Sequence, residues 1–278
     1  MAKKKKIQSY GIFALLVVLA CVFIYPILLV IQNSFKGKLF ISNTPFELPN
    51  KETFVGVQNY VEGFAKTNFH KSFGYSLFIT IFSVLAIVLF TSMTAWYITR
   101  VKSKLTSTLY YIFLLSMVVP FQMVMYTMSK LANTIYLDNP VGIIVLYLGF
   151  GSGMAVFMFS GFIKGIPVEL EEAALIDGCN PIKMFFKVIL PVLKPILITV
   201  AILDAMWIWN DFLLPYLILG SNYRTIPVAI QYLKSGYGSI DYGQLMAMIV
   251  LSLIPIVAFY FACQKHIIEG IVAGAVKG

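Results

Sequence analysis

The segment around which the rest of the chain is organised is ELEEAALIDGCNPIKMFFKVILPVLKP, from Glu169 to Pro195, and we call it the elbow. Its glutamates come first, where a helix dipole favours carboxylates. Gly178 then predicts a left-handed helix stop. Asn180-Pro181 predicts a second helix, because asparagine caps helices and proline suits their first turn. The elbow is therefore predicted to be two helices joined at a glycine.

The second half of the elbow is amphipathic. Lys183 and Lys187 are four residues apart and share one helix face. On geometry alone, a helix that lies on a lipid surface is one interpretation of such a segment. The apolar side chains predicted on the opposite face are Ile182, Phe185, Phe186 and Ile189.

The composition is that of an integral membrane protein. Apolar residues make up 59% of the chain and charged residues 12%, with a mean hydropathy of +0.86, against about 45–50% and about 25% in soluble domains. The three cysteines are scattered and predict no disulfide framework. The two histidines, His70 and His266, stand far apart, so neither a metal nor a catalytic role is assigned to them.

The chain contains six apolar runs that are long enough to cross a bilayer as helices. The fold class is therefore an all-α, polytopic membrane protein with six transmembrane helices. Pro120 and Pro255 are predicted to interrupt the third and sixth spans; for Pro120 a packed kink is preferred to a gating role. Gly149, Gly151 and Gly153 predict close helix packing in the fourth span. The runs are Tyr10–Ile31, Phe73–Ile98, Leu109–Met128, Val141–Ile163, Ile196–Leu219 and Leu245–Cys263.

The basic residues predict the orientation of the chain. Most of the 21 Lys and Arg residues fall at the N-terminus, after the second span, in the elbow region and in the tail, and basic residues favour the cytoplasmic side. Both termini are therefore predicted to be cytoplasmic. The predicted segments are 1–32, a basic segment and uncleaved first span; 33–71, an external loop; 72–263, a permease core with a cytoplasmic loop at 164–194; and 264–278, a cytoplasmic tail.

The elbow carries a family resemblance. Glu172-Ala173-Ala174, followed by Gly178 and then by Leu190-Pro191, resembles the EAA loop of binding-protein-dependent ABC importer permeases. The family's spacing is kept, with Val188 at the usual isoleucine and Cys179 where alanine is common. The resemblance implies a type I ABC importer permease of the bacterial cytoplasmic membrane, in which the elbow is the coupling helix seated in a cleft of an ATPase subunit. The ATPase-coupling residues it implies are Glu171, Glu172, Ala173, Ala174, Asp177, Gly178, Leu190 and Pro191.

The C-terminus carries a second resemblance. The ending EGIVAGAVKG, from Glu269 to Gly278, looks like that of carbohydrate importer permeases of the maltose and multiple-sugar type. In that subfamily the tail reaches between the two ATPase subunits, which implies ATPase contacts for Gly274, Lys277 and Gly278. A frayed, glycine-rich tail is the alternative.

The fifth predicted span contains a carboxylate, Asp204. Such a residue near mid-span costs about 2.5–3.5 kcal/mol on insertion scales, so it must face protein or water. It either lines a solute path or contacts a partner subunit, or it bonds to a neighbouring helix. Nearby, Asn210-Asp211-Phe212 resembles a recurrent permease signature. The candidate translocation-path residues are Gln122, Tyr126, Asp204, Trp207 and Asn210.

The sequence contains no motif for ATP hydrolysis or other catalysis. It has no G-x-x-x-x-G-K-[ST] loop for ATP phosphates and no catalytic or metal motif, so we expect no enzyme and no cofactor bound by this chain. ATP and Mg are expected on partner ATPase subunits. The implied partners are a homologous second permease, an ATPase dimer, an extracellular solute-binding protein and membrane lipid, but no nucleic acid. The cargo is expected to be an oligosaccharide; the alternative is a stand-alone ion-coupled carrier that uses Asp204.

Overall fold

The computed structural model describes residues 2–233 and 240–275, with side chains over 10–233 and 240–265. Within these ranges every named element is a helix, and the one β-bridge pairs Lys36 with Phe54. The predicted all-α class is confirmed. A π-helical turn, Phe185–Ile189, separates α9 from α10. The helices are α1 (Ala2–Asn33), α2 (Lys38–Asn43), α3 (Gln58–Lys66), α4 (Phe69–Arg100), α5 (Lys104–Val118), α6 (Phe121–Thr134), α7 (Gly142–Ile163), α8 (Glu169–Ile176), α9 (Pro181–Met184), α10 (Leu190–Val192), α11 (Lys194–Asn210), α12 (Leu213–Leu219), α13 (Ile226–Tyr232) and α14 (Tyr242–Ala275).

Four of the described helices are long and apolar enough to cross a membrane on their own. These are Tyr10–Asn33, Phe69–Arg100, Gly142–Ile163 and Tyr242–Lys265. Two sharply bent helix pairs raise the number to six if each pair is one span. The sequence prediction of six spans agrees with the upper figure. The predicted segment boundaries near residues 32, 71 and 263 stay predictions.

The chain divides into two compact units, Met1–His70 with Ala229–Pro255, and Lys71–Val228 with Ile256–Gly278. In the first unit, the side-chain amide of Asn59 on α3 donates hydrogen bonds to the carbonyls of Ser34 and Lys36, both at 2.8 Å. These bonds hold α3 against the segment that follows α1. The predicted loop 33–71 therefore contains two short helices, α2 and α3.

The core of the second unit is centred on α7. Buried apolar side chains of α4, α7 and α11 join those of the elbow in one cluster. Small residues allow the close approach of helices: a Cβ at Gly153 would lie 2.5 Å from Ser116 Oγ, and one at Gly151 would lie 2.7 Å from Ile87 Cδ1. The packing role predicted for these two glycines is confirmed, whereas Gly149 has no atom within 4 Å of such a Cβ.

Pro120 interrupts the third span, as predicted, but the interruption is a break rather than a packed kink. Helix α5 ends at Val118, α6 begins at Phe121, and the two are bent by 105°. Val119 and Pro120 are both extended, because a proline disfavours helical backbone in the residue before it and cannot donate a backbone hydrogen bond itself.

The fifth and sixth predicted spans also differ from the structure. The fifth, expected to run to Leu219, ends at Asn210, because Asp211 is extended and its Oδ1 accepts a hydrogen bond from the Leu213 N–H at 3.0 Å, which starts α12. The interruption predicted at Pro255 was wrong: α14 continues through it as one helix.

Candidate functional site: the elbow

The elbow turns as its local signals predict. Helix α8 has Glu169, Glu171 and Glu172 in its first turn. Gly178 has a φ of +73°, which is the left-handed stop. The side chain of Asn180 accepts a hydrogen bond from the Lys183 N–H at 2.8 Å, so it is the cap of α9.

The second half of the elbow contains a π-helical turn, Phe185–Ile189, that the sequence reasoning missed. Pro191 has no N–H to donate to the carbonyl of Lys187, four residues earlier. The N–H of Leu190 instead bonds to the carbonyl of Phe185, five residues back. A proline at this position was the available signal. Leu190 packs on the core and Pro191 is exposed, just before the bend of 79° into α11.

Helix α8 has an inner and an outer face, and the adjacent glutamates lie on different ones. Glu171 is 8% exposed and Ala174 is also buried. Glu172, Ala173 and Asp177 are exposed. The structure therefore separates the predicted coupling residues into a set that contacts the rest of the chain and a set that does not.

The inner carboxylate is held by the end of α4. Arg100 Nε donates to Glu171 Oε1 at 2.7 Å, and Trp96 Nε1 donates to Oε2 at 3.1 Å. Arg100 Nη2 also donates to the carbonyl of Ile166 at 3.0 Å. Both carboxylate oxygens therefore bond to one helix. We call Trp96, Arg100 and Glu171 the clamp.

Trp96 links the two halves of the elbow. Its indole N–H bonds to α8, and its ring centre lies 5.7 Å from that of Phe185 in the π-helical turn. Phe185, Ile189 and Leu193 are all fully buried in the core around α7. The elbow is therefore fixed to the spans by both a charged and an apolar contact.

The sequence reasoning missed the clamp. Arg100 was assigned only to the basic residues that predict orientation, and Trp96 was assigned no role. The available signal was an arginine at the end of an apolar span that enters the same side as an acidic helix. That signal does not say which of three glutamates turns inward.

The outer face of the elbow is apolar and acidic at its tip. Ile176 is 87% exposed and Ile182 is 67% exposed, and they flank Gly178 on either side. Glu172 and Asp177 are exposed beside them. We call these five residues the elbow tip. Of the four apolar side chains predicted on the face opposite the lysines, Phe185 and Ile189 are buried, whereas Ile182 and Phe186 are exposed; Met184 is also buried.

The candidate translocation-path residues differ in their exposure. Gln122, Tyr126 and Asn210 are exposed, and Trp207 is partly so. Asp204 is 0% exposed, and neither of its carboxylate oxygens has a hydrogen-bond partner among the described residues. A Cβ at Gly151 on α7 would lie 3.6 Å from its Oδ1.

A polar contact near these residues was also missed. The hydroxyl of Tyr147 donates to Asp211 Oδ2 at 3.0 Å, and its ring packs edge-on against Trp207 with centres 5.5 Å apart. The contact ties α7 to the break between α11 and α12. Of the predicted tail contacts, Gly274 has only its helical backbone described, and Lys277 and Gly278 lie outside the described residues.

Over the part of the chain that the structure describes, no three His, Cys, Asp or Glu side chains are grouped so that they could hold a metal ion.

The model of one protein family matches most of the chain. It describes the binding-protein-dependent transport system inner membrane component and matches residues 87–272. The matched range includes the elbow and the clamp.

Relatives match over nearly the full length. A probable starch degradation products transport system permease protein of Thermoanaerobacterium thermosulfurigenes is 40% identical over 99% of both chains. A multiple sugar-binding transport system permease protein of Streptococcus mutans is 36% identical over 100% of both. A melibiose/raffinose/stachyose import permease protein of Bacillus subtilis is 30% identical over 100% of this chain and 99% of the relative.

A solved structure has the same fold. It is a chain in the crystal structure of a bacterial ABC transporter involved in the import of the acidic polysaccharide alginate, with a TM-score of 0.78 and 21% identity. The match covers 94% of this chain and 97% of that one. The predicted importer-permease fold is confirmed by this match.

Proposed function

We propose a specific role for this chain, which belongs to the binding-protein-dependent transport system inner membrane components. It is one permease subunit of an ATP-driven importer of oligosaccharides. As a member of that family it is a multi-pass membrane protein with a role in transport. The oligosaccharide cargo is supported by relatives whose names specify starch degradation products, multiple sugars, and melibiose, raffinose and stachyose.

The observation that carries the proposal is the elbow tip. Two large apolar side chains, Ile176 and Ile182, stand exposed on either side of Gly178, with two carboxylates beside them. Exposed apolar groups rimmed by polar residues mark contact surfaces. In this proposal the elbow tip docks in a cleft of an ATPase subunit, and Glu172 meets a basic residue there.

The inner face of the elbow gives the docking a mechanical consequence. When the ATPase subunits close on ATP, they move the elbow tip. Because the clamp bonds α8 to α4, and because Phe185 and Ile189 are buried in the core, the elbow cannot move far without moving α4 and α7. The spans then rock between inward-open and outward-open states.

The remaining parts of the machine belong to other chains. We propose a homologous second permease, a dimer of ATPase subunits that hold ATP and Mg, and an extracellular solute-binding protein. The elbow and both termini lie on the cytoplasmic side of a bacterial cytoplasmic membrane. The tail residues Gly274, Lys277 and Gly278 reach between the ATPase subunits. The basic segments near the elbow support this orientation.

Reconstitution tests the proposal. The chain is placed in vesicles with its second permease, its ATPase subunits and its solute-binding protein, and ATP hydrolysis and uptake are followed with a starch-derived oligosaccharide. We expect sugar-stimulated hydrolysis and uptake only when all components and ATP are present. Uptake by this chain alone, driven by a proton or sodium gradient without ATP, would establish the ion-coupled alternative instead.

A further inference from the structure

A cavity of about 880 Å³ lies where α4 ends, α5 begins and α7 ends. Three lysines line it, Lys102, Lys104 and Lys164, and no Asp or Glu is among its lining residues. Nothing in the proposed coupling mechanism uses this cavity. Its charge selects an anionic ligand.

The lysines are available to such a ligand. All three are exposed, and among the described residues the ion pair between Arg100 and Glu171 involves none of them. Lys164 Nζ lies 5.6 Å from the centre of the Tyr110 ring, a cation–π contact that leaves its N–H groups free to donate. Ser103 caps α5 at the same edge, so the positive end of that helix adds to the field.

The interior of the cavity offers hydroxyls without partners. Ser160 on α7 is 1% exposed, lines the cavity, and has an Oγ with no hydrogen-bond partner in the described part of the chain. Thr99 also lines the cavity, and its Oγ1 likewise has no hydrogen-bond partner among the described residues. Buried polar groups are normally hydrogen-bonded. Two unpartnered hydroxyls in the lining that also holds three lysines therefore indicate a ligand with several acceptor oxygens, as a phosphate has.

The position of the cavity selects the source of the phosphate. Its lining begins at Ile98 and Thr99, in the last turn of α4, where the apolar span of that helix ends. Tyr110 and Tyr111 also line it, and tyrosines favour the headgroup level of a bilayer. Leu105 and Ile112 on the same helix are exposed, as side chains that face lipid are.

We propose that this cavity binds the phosphate headgroup of an anionic phospholipid. The lysines neutralise the headgroup, Ser160 and Thr99 donate hydrogen bonds to its oxygens, and its acyl chains lie along α5. The lipid lies in the leaflet on the elbow's side of the membrane. That this is the cytoplasmic leaflet rests on the proposed orientation, but the binding site itself does not depend on the orientation.

The test uses the assembled importer, purified in detergent and studied by native mass spectrometry after reconstitution with phosphatidylglycerol in phosphatidylcholine. We expect phosphatidylglycerol to stay bound, and the variant Lys102→Gln/Lys104→Gln/Lys164→Gln to lower its retention about tenfold. The control Lys51→Gln/Lys71→Gln/Lys130→Gln changes charge equally, at three exposed lysines outside the cavity, and keeps retention.

A second variant separates a built site from general surface attraction. Ser160→Ala removes a hydroxyl without changing the charge, and we expect it to lower retention severalfold. Equal retention in Ser160→Ala and the unaltered importer, or an equal loss in the two lysine triples, would overturn the proposal. A third result would also overturn it. If inorganic phosphate raises the thermal midpoint in pure phosphatidylcholine and no phosphatidylglycerol is retained, the cavity binds a soluble phosphate and not a lipid headgroup.

Discussion

The inner and outer faces of helix α8 differ in what they contact, although their residues alternate along a few positions of sequence. On the inner face, both oxygens of Glu171 are bonded to α4. On the outer face, Glu172 is exposed and Ile176 stands almost fully open. One face of this short helix therefore holds the chain together, and the other face offers a surface to another chain.

The largest expected effect is at the outer face, at Gly178. A Cβ there would have no atom of the described residues within 4 Å, so the internal cost of Gly178→Asp comes mainly from the left-handed backbone at φ +73°, about 1–2 kcal/mol. We expect normal membrane insertion and loss of sugar-dependent ATP hydrolysis in reconstituted vesicles, because the added side chain clashes with the ATPase cleft.

Gly56 is the matched control for this substitution. It also has a positive φ, +59°, and no atom within 4 Å of an added Cβ, but it lies far along the chain from the elbow. Gly56→Asp should leave hydrolysis close to normal. Unchanged hydrolysis in Gly178→Asp, or an equal loss in the two variants, would remove the distinction between the elbow tip and any other strained turn.

The next effect compares the two adjacent carboxylates. Glu171→Ala leaves the partly buried Arg100 guanidinium without its carboxylate, and a hydrogen bond to a charged group contributes about 1.5–3 kcal/mol. We expect a clear fall in the thermal midpoint of the purified importer. Glu172→Ala should leave the midpoint within the small range of surface substitutions, about 0.5 kcal/mol, but should lower sugar-stimulated hydrolysis. Equal midpoints for the two variants would contradict the assignment of faces.

The smallest effect is expected at Asp204, which belongs to neither face of the elbow. Its carboxyl is buried without a described partner, and an apolar group of similar shape in place of an unsatisfied one is close to neutral or stabilising. Asp204→Leu should therefore keep the thermal midpoint and keep ATP-driven uptake. A folded variant that has lost ATP-driven uptake would contradict this expectation and would show that Asp204 lines the solute path or contacts a partner subunit.

The sequence was sufficient to predict those features that depend on the backbone preferences of single residues. The glycine stop at Gly178 and the asparagine cap at Asn180 depend on backbone preferences of those residues alone, and both predictions were confirmed. The prediction of six spans came from length and hydropathy, and it agrees with the upper end of the four to six candidate spans among the described residues. The EAA spacing added the family, which the match over residues 87–272 then showed.

The inward rotation of Glu171 required tertiary packing, which no local signal contains. Helix α8 is only eight residues long, so its face is set by Trp96 and Arg100 on α4, distant in sequence. The break at Pro120 is similar: a proline predicts a kink or an end, and the angle depends on what packs around it. For Asp204 the sequence left open a solute path, a partner subunit or a bond to a neighbouring helix, and none of the described residues makes a hydrogen bond to its carboxylate oxygens.

Photo-crosslinking from the elbow tip in the assembled importer tests most directly whether the elbow contacts an ATPase subunit. A photoreactive side chain at Ile176 should crosslink to an ATPase subunit, whereas one at Val61, also exposed but on α3, should not. Crosslinks from Ile176 to lipid alone, or to no other polypeptide, would show that the elbow lies on the membrane surface and would contradict its role as the coupling segment.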